Sequence, residues 1–369
     1  MNNKKKKEHL KIVMFGQKTI PSRDGGVEIV VEELATRLVE KGNQVIVLNR
    51  KRKNCLKQKI YKGIRLINIF TINKKSLDAI VYSFFATLKS IFLRPDIIHV
   101  HAEGPCAFLW LFGKHKKRKL IVTIHGLDWQ RSKWGGLATK IIKFGEKQAV
   151  KHADEIIVLS KNVQEYFKNT YKRETIFIAN GVNKPNLLEA SIIFDKRGLE
   201  KNSYILFVAR IVPEKGLDYL IEAYKRVEEK TDKKLVIVGG PSHSDYYFNE
   251  VKKKCEGDNK IIMTGFQSGD TLSELFSNAY LYVLPSDVEG MPISLLEAMS
   301  YGNVCLVSDI PENKDVINSE SFTFQKSNVA DLEKKLLYAL NSNLKTHEKQ
   351  HIYKTWDSVV DETLKIYGA

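Results

Sequence analysis

The feature that most restricts this chain is a recurrence of short apolar runs, each followed by a stretch with helical periodicity. The runs lie at 10–15, 44–48, 63–69, 96–101, 120–125, 155–160 and 175–179. Helical stretches fall between most of them, at about 27–41, 76–93, 104–113, 134–151 and 161–170. Strands that are apolar throughout belong in a parallel sheet covered by helices on both faces. Between Asn180 and Ser203 the rhythm breaks, and Gly181, Pro185 and polar residues read as a connection rather than a core element. It restarts with runs at 204–209, 235–238, 260–264, 280–284 and 303–307, again interleaved with helical stretches. A length of 369 residues also favours two cores over one. The expectation is an α/β chain of two doubly wound parallel-sheet domains, 1–182 and 183–345, facing across a cleft. A last amphipathic segment, 346–369, carries Tyr353, Trp356, Val360, Leu364 and Tyr367 on one stripe and is expected to cross back and brace the first domain.

Composition excludes several classes. Hydrophobic content of 43% with 28% charged residues describes an ordinary globular protein. No apolar run reaches the length needed to span a bilayer, and the Lys-rich start passes directly into a strand with no cleavable signal. Cys55, Cys106, Cys255 and Cys305 have no paired spacing, against a disulfide framework or a zinc site, and Cys106 and Cys305 read as small core residues. The chain is therefore expected in a reducing, cytoplasmic setting. Charge is lopsided: residues 1–182 hold 36 Lys and Arg against 15 Asp and Glu, whereas the rest holds 23 against 28. Whatever the first half faces is expected to be anionic, such as a membrane surface or a phosphorylated lipid. Nucleic acid is disfavoured, because no recognised module or aromatic stacking platform accompanies the charge.

Ligands in such sheets bind beyond the C-terminal strand ends, so the loops there carry the chemistry. After the run at 279–285 comes Asp287-Val288-Glu289-Gly290-Met291-Pro292, opening a helix that contains Glu297. A helix N-terminus at a strand end favours phosphate, and Pro292 suits a first helical turn. In the first half, Gly25-Gly26 precedes a helix and could admit a diphosphate, or could be a plain tight turn. Neither G-x-G-x-x-G nor G-x-x-x-x-G-K-[ST] is present, so a nicotinamide fingerprint and an ordinary ATPase loop are both absent. His125 ends a strand and is followed by Asp128 and Trp129. His99 and His101 end the preceding strand and read as core or cleft-wall residues. The three lack a helical i, i+4 pair, which disfavours a metal. In the second half, Arg210 leaves a strand and Lys215 approaches the next helix, a pairing suited to a diphosphate. Gly239-Gly240 and Gly265-Phe266 lie at strand ends on the same rim and could lie close to a base or ribose.

Arg210 with Lys215, followed by Glu289 and Glu297 in E-x7-E spacing, closely resembles the retaining family-4 glycosyltransferases of the GT-B fold. Gly25-Gly26-Val27-Glu28 and His125-Gly126-Leu127-Asp128-Trp129 look like the branch that builds bacterial capsule, exopolysaccharide and O-antigen sugars, rhamnosyl-transferring members included. The resemblance spans nearly the whole chain. It implies a metal-independent transferase with no cofactor, taking a nucleotide-diphosphate sugar and a lipid-linked or saccharide acceptor. Arg210 and Lys215 would neutralise the diphosphate, Glu297 would hold the ribose, and Glu289 and His125 would face the donor sugar. Gly25 and Gly26 would approach the phosphates from the first domain. Gly265 and Phe266 would border the nucleotide, and the backbone around Gly290, Met291 and Pro292 would line the diphosphate. Met291 stands where an aromatic is common, which leaves the donor sugar open. The basic first domain fits an acceptor at an anionic membrane surface, and 76–94 could form an interfacial helix or an ordinary sheet-covering helix. The alternative reading is a nucleotide-sugar epimerase or a non-catalytic sugar-nucleotide-binding partner on the same fold.

Overall fold

The computed structural model describes residues 9–23, 25–51, 58–72, 74, 77–113, 118–131, 135–241, 245–317, 323–342 and 354–368. Cys55 and Tyr353, named above, and residue 76, which opens the 76–94 segment, lie outside the described residues. The chain divides into two compact units. One comprises Met1–Gly181 with Trp356–Ala369, the other Val182–Thr355.

In the first unit the strands are β1 (Lys11–Phe15), β2 (Gln44–Arg50), β3 (Ile60–Tyr61), β4 (Ile64–Ile69), β5 (Ile97–His101), β6 (Lys119–Ile124), β7 (Glu155–Val158) and β8 (Ile176–Phe177). They form one sheet in the order β3-β4-β2-β1-β5-β6-β7-β8. Every pairing is parallel except the β3–β4 hairpin. Helices α1 (Gly26–Glu40), α2 (Asp78–Leu93), α3 (Gly136–His152) and α4 (Lys161–Tyr171) connect the strands, with a 3-10 helix at Gly104–Phe112. The order reverses between β1 and β5, which makes that crevice a topological switch point, where doubly wound sheets bind ligands.

The second unit repeats the plan. Strands β9 (Tyr204–Val208), β10 (Lys234–Val238), β11 (Ile261–Gly265), β12 (Leu281–Leu284), β13 (Cys305–Ser308) and β14 (Thr323–Phe324) form an all-parallel sheet, β11-β10-β9-β12-β13-β14. Its switch point lies between β9 and β12. Alternation along β9 feeds two cores: Ile205 and Phe207 join one hydrophobic cluster, Tyr204 and Leu206 the other. The connecting helices are α5 (Ile192–Arg197), α6 (Leu217–Val227), α7 (Asp245–Cys255), α8 (Gly269–Asn278), α9 (Ile293–Ser300), α10 (Pro311–Lys314) and α11 (Val329–Asn341).

Two departures from the sequence expectation have physical causes. The segment read as a plain connection contains α5, and Ile193 and Leu199 are fully buried in the second core. The buried Glu274 carboxylate explains it, accepting the amides of Ser191 and Ile193 at 3.1 and 3.0 Å. Helix α11 was not anticipated, although Leu332, Leu336 and Ala339 recur at helical spacing and are buried. Its cap is visible in sequence: the Asn328 side chain accepts the Asp331 amide at 3.0 Å.

The closing helix α12 (Trp356–Tyr367) packs in the first unit, against α1. Trp356, Val359, Val360, Thr363 and Tyr367 are buried. Arg37 and Lys41 of α1 pair with Asp357 and Asp361 at 3.1 and 2.8 Å. Exposed pairs of this kind add little, so the apolar stripe holds the helix, at about 1.5–3 kcal/mol per large side chain buried. Among the described residues no helix is long and apolar enough to cross a membrane.

Candidate functional site

In the second unit the loops after β9 and β12 flank the switch point. Beyond β9 the chain passes half-buried Arg210 and forms a 3-10 turn, Pro213–Lys215, before α6. Gly216 closes the turn at φ +61, and a Cβ there would stand 2.1 Å from the Pro285 carbonyl oxygen. Only glycine allows this backbone to meet the end of β12 so closely. The Asp287 amide then donates to the Glu214 carbonyl at 3.0 Å, tying the two loops together.

Those ties put Lys215 beside Glu289. The Lys215 ammonium pairs with Glu289 Oε1, which also accepts the Ser286 hydroxyl at 2.6 Å. The two charged side chains are only 13% and 8% exposed, so the pair is largely removed from water. At such a site electrostatic attraction is stronger than at an open surface. Ser286 is itself held from behind: the buried Ser308 hydroxyl donates to the Ser286 carbonyl, and Asn313 Nδ2 donates to Ser308 Oγ at 3.0 Å. Ser286 was not among the sequence candidates. Its signal was its position three residues before Glu289, immediately after the strand-ending Pro285.

Pro292 is the residue before the first turn of α9 rather than a member of it, and no side chain caps that helix. Gly290 is buried, while Met291 and Glu297 are half-buried. At the neighbouring strand ends Gly265 takes φ +72 after a register shift between β10 and β11, and its carbonyl accepts the Gly239 amide at 3.0 Å. Phe266 stands out at 57% exposure.

The first unit is organised differently. Gly25 precedes α1 in an extended conformation, and Gly26 is the first helical residue. The buried Glu28 carboxylate turns back over this start, within 2.6 Å of where a Gly25 Cβ would stand, and accepts the Lys18 amide at 2.9 Å. The N-terminal anion preference of α1 is thus met by its own first-turn acid. Gly16 takes φ +125 with a would-be Cβ 2.0 Å from the His101 carbonyl oxygen, so only glycine lets the β1 loop cross the end of β5.

His125 follows β6, and its Nε2 lies 3.0 Å from His101 Nδ1. His99, fully buried with His101, is taken up by Tyr367 and Thr123, each at 2.7 Å. His99 and His101 are therefore core residues. Burial disfavours the charged imidazolium and lowers all three: His99 to about 3, His125 to about 4, and His101 well below the ordinary value. His101 Nε2 is buried without a hydrogen-bond partner. An orphaned acceptor is tolerated better than an orphaned N–H, which assigns the His101 proton to Nδ1, donated to His125 Nε2. His125 then keeps its proton on Nδ1, as a neutral donor.

Beneath the 125–131 turn lies a buried acid pair. Glu146 accepts Trp129 Nε1 at 3.2 Å, the Tyr166 hydroxyl at 2.9 Å and the Tyr171 hydroxyl. Glu103 accepts the Asp128 amide at 2.9 Å, and burial beside Asp128 and Glu146 raises its carboxyl well above the usual range. Glu103 Oε1 is buried without a hydrogen-bond partner, and a retained proton removes the charge this oxygen would otherwise carry unpaired. Gly145 admits this arrangement, since a Cβ there would lie 2.2 Å from the Glu103 carbonyl oxygen.

Residues 24–184 match Glycosyltransferase Family 4, and residues 189–355 match Glycosyl transferases group 1. The chain is built of two glycosyltransferase domains. It is 27% identical to an uncharacterized glycosyltransferase of Methanocaldococcus jannaschii, over 97% of this chain and 98% of that one. It is also 27% identical to the UDP-Gal:alpha-D-GlcNAc-diphosphoundecaprenol alpha-1,3-galactosyltransferase of Escherichia coli, over 61% of this chain and 60% of that one. Among solved structures it resembles Anabaena Alr3699/HepE in complex with UDP and glucose, with a TM-score of 0.79, 16% identity, and 98% and 100% of the two chains covered. That likeness is one of fold, and with the two sheets it identifies the GT-B class. In the family 4 domain lie Gly25, Gly26 and His125; in the group 1 domain lie Arg210, Lys215, Gly265, Phe266, Glu289, Gly290, Met291, Pro292 and Glu297.

Proposed function

We propose that the protein moves a hexosyl unit from a nucleotide-diphosphate sugar to a lipid-linked saccharide acceptor in the synthesis of capsule, exopolysaccharide or O-antigen. The reaction is proposed to retain anomeric configuration, to need no metal, and to take place in the cytoplasm on the inner face of the cell membrane. The observation that carries this reading is the contact of Lys215 with Glu289 at the switch point of the group 1 domain. A diphosphate leaving group gathers negative charge as the glycosidic bond breaks, and a desolvated ammonium beside it stabilises that charge. Arg210 contributes a planar fork to the same phosphates. Glu289 then accepts sugar hydroxyls, and Glu297 the ribose hydroxyls. Backbone groups of Gly290 and Met291 line the diphosphate beside Pro292, and Gly265 and Phe266 border the nucleotide. In the family 4 domain the residues proposed to serve the donor are Gly25, Gly26 and neutral His125.

The reading is supported by the UDP and glucose bound in the Anabaena structure and by the diphosphoundecaprenol acceptor named for the Escherichia coli relative. The test is a panel of nucleotide sugars incubated with lipid-diphosphate sugar acceptors, scored for nucleotide release and glycosylated lipid. Transfer with one donor is expected. Conversion of a nucleotide sugar with no acceptor present would point to an epimerase, and nucleotide binding without turnover to a non-catalytic partner.

A further inference from the structure

Helix α2 turns much of its apolar surface outward, although Tyr82 and Ala86 join the core of the first unit and Ile91 and Leu93 pack against it. The side it buries consists of Tyr82, Ser83, Ala86, Thr87 and Ser90. Its three hydroxyls are met within the helix: Ser83, Thr87 and Ser90 donate to the carbonyls of Ala79, Ser83 and Ala86 at 2.6, 2.8 and 2.8 Å. Tyr82 donates to the Leu48 carbonyl at 2.6 Å. The outward side carries Phe85 and Phe92, 41% and 78% exposed, with half-buried Phe84 and Leu88 between them. A covering helix of a soluble sheet ordinarily keeps its phenylalanines inward and its serines outward.

The apolar face continues onto neighbouring segments. Phe70, 57% exposed, meets Phe85 edge-on at 5.8 Å, and Phe84 meets Phe85 and Phe108 at 5.4 Å each. Trp110, on the 3-10 helix packed against α2, is 51% exposed. Lys74, Lys89 and Arg94 are exposed around this face. The only acidic residue between 70 and 95 is Asp78, which pairs with Arg50 at 3.1 Å. The face is therefore apolar, aromatic and cationic, with its one acid already neutralised.

We infer that the α2 face, with Phe70 and Trp110, docks on an anionic lipid bilayer. Aromatic rings enter the headgroup and acyl boundary, while lysine and arginine stay with the lipid phosphates. Charge selects this occupant over a second copy of the chain, because a cationic face would meet an identical cationic face. In purpose the inference rests on the lipid-linked acceptor proposed above, since docking brings the family 4 domain to the surface that presents such an acceptor.

The experiment sediments the full chain with vesicles of phosphatidylcholine alone or mixed with phosphatidylglycerol, without nucleotide, over a range of salt. Binding is expected on the mixed vesicles and should weaken with salt. Phe85→Ser with Phe92→Ser should lower it about tenfold or more, and Lys89→Gln about fivefold on anionic vesicles alone. Trp110→Ser, on a separate segment, should weaken binding in parallel. Melting should stay unchanged, because these side chains leave no cavity. Absence of binding, or binding indifferent to all of these changes, would overturn the inference. So would a wild-type dimer dissociated by the double substitution, which would assign the face to a second copy. Nucleotide release from a donor in vesicle-free solution is measured in parallel. Loss of vesicle binding with turnover intact defeats only the docking, and vesicle binding without turnover defeats only the transfer reading.

Discussion

The two switch points are built alike in backbone and oppositely in charge. In the second unit the loops after β9 and β12 bring an ammonium and a carboxylate together, largely removed from water. In the first, the ends of β5 and β6 hold His101 and His125 so deeply that both stay neutral, and the start of α1 is occupied by its own Glu28. The contrast teaches that a common sheet order sets where a site lies, while the burial of the loop side chains decides its chemistry. The group 1 domain holds a desolvated charge pair at its switch point, and the family 4 domain holds neutral histidines.

The largest effect should come from breaking the charged side. Lys215→Gln is expected to lower kcat by about 10²–10³-fold, as for removal of one preorganised electrostatic group. Steady-state turnover before and after substitution measures it, and an unchanged rate would take Lys215 out of the reaction.

On the neutral side the expected response is to acid. The three histidines have native pKa values below the unfolded value, so the unfolded state binds more protons as pH falls. Their stabilisation is complete above about pH 6.5 and is lost toward about 4 for His125 and about 3 for His99. For His125 and for His99 this amounts to about 2 kcal/mol between pH 6.5 and 5. Glu103 has the opposite sign, since its raised pKa stabilises the protonated native form and that stabilisation fades as pH rises. Glu103→Gln should therefore leave neutral stability near wild type and steepen the acid loss. All four tryptophans (110, 129, 134 and 356) fall in the first unit, so urea unfolding followed by tryptophan fluorescence reads that unit alone. A fluorescence midpoint that does not move between pH 7 and 5 would contradict the neutral histidine cluster.

Gly216→Ala tests the geometry that unites the charged loops. Its positive φ and the 2.1 Å approach to Pro285 lead to an expected destabilisation of about 1–3 kcal/mol, with turnover falling beside it. Chemical denaturation would show it, and wild-type stability would mean that the turn has another way to close. Ser286→Ala should be mildest, about 1 kcal/mol, read as a roughly fivefold loss in kcat/KM with melting nearly unchanged. An effect as large as that of Lys215→Gln would make Ser286 a principal group rather than a support for Glu289.

Much of this was legible in the residues. Parallel sheet follows from strands such as Ile12–Phe15 and Leu281–Leu284, apolar on both faces, and the E-x7-E spacing singled out the loop after β12. Helix α5 was hidden because Ile192-Ile193-Phe194 is short and its anchoring acid, Glu274, lies far along the chain. Helix α2 was ambiguous for a related reason. Periodicity names a helix and its apolar stripe, but not whether that stripe turns in or out. The buried hydroxyls of Ser83, Thr87 and Ser90, with Phe85 and Phe92 exposed, show that much of it turns out.

The amino-acid order by itself determined the alternation of strand and helix, the two-domain plan and the candidates at the strand ends, because these depend on local periodicity and on glycine and proline. Tertiary structure alone decided that Lys215 meets Glu289 across 74 positions of chain, that Ser286 supports the carboxylate, and that His125 is held neutral beside His101. Desolvation and long-range hydrogen bonding are set by which loops the sheet order brings side by side, and no local pattern encodes them.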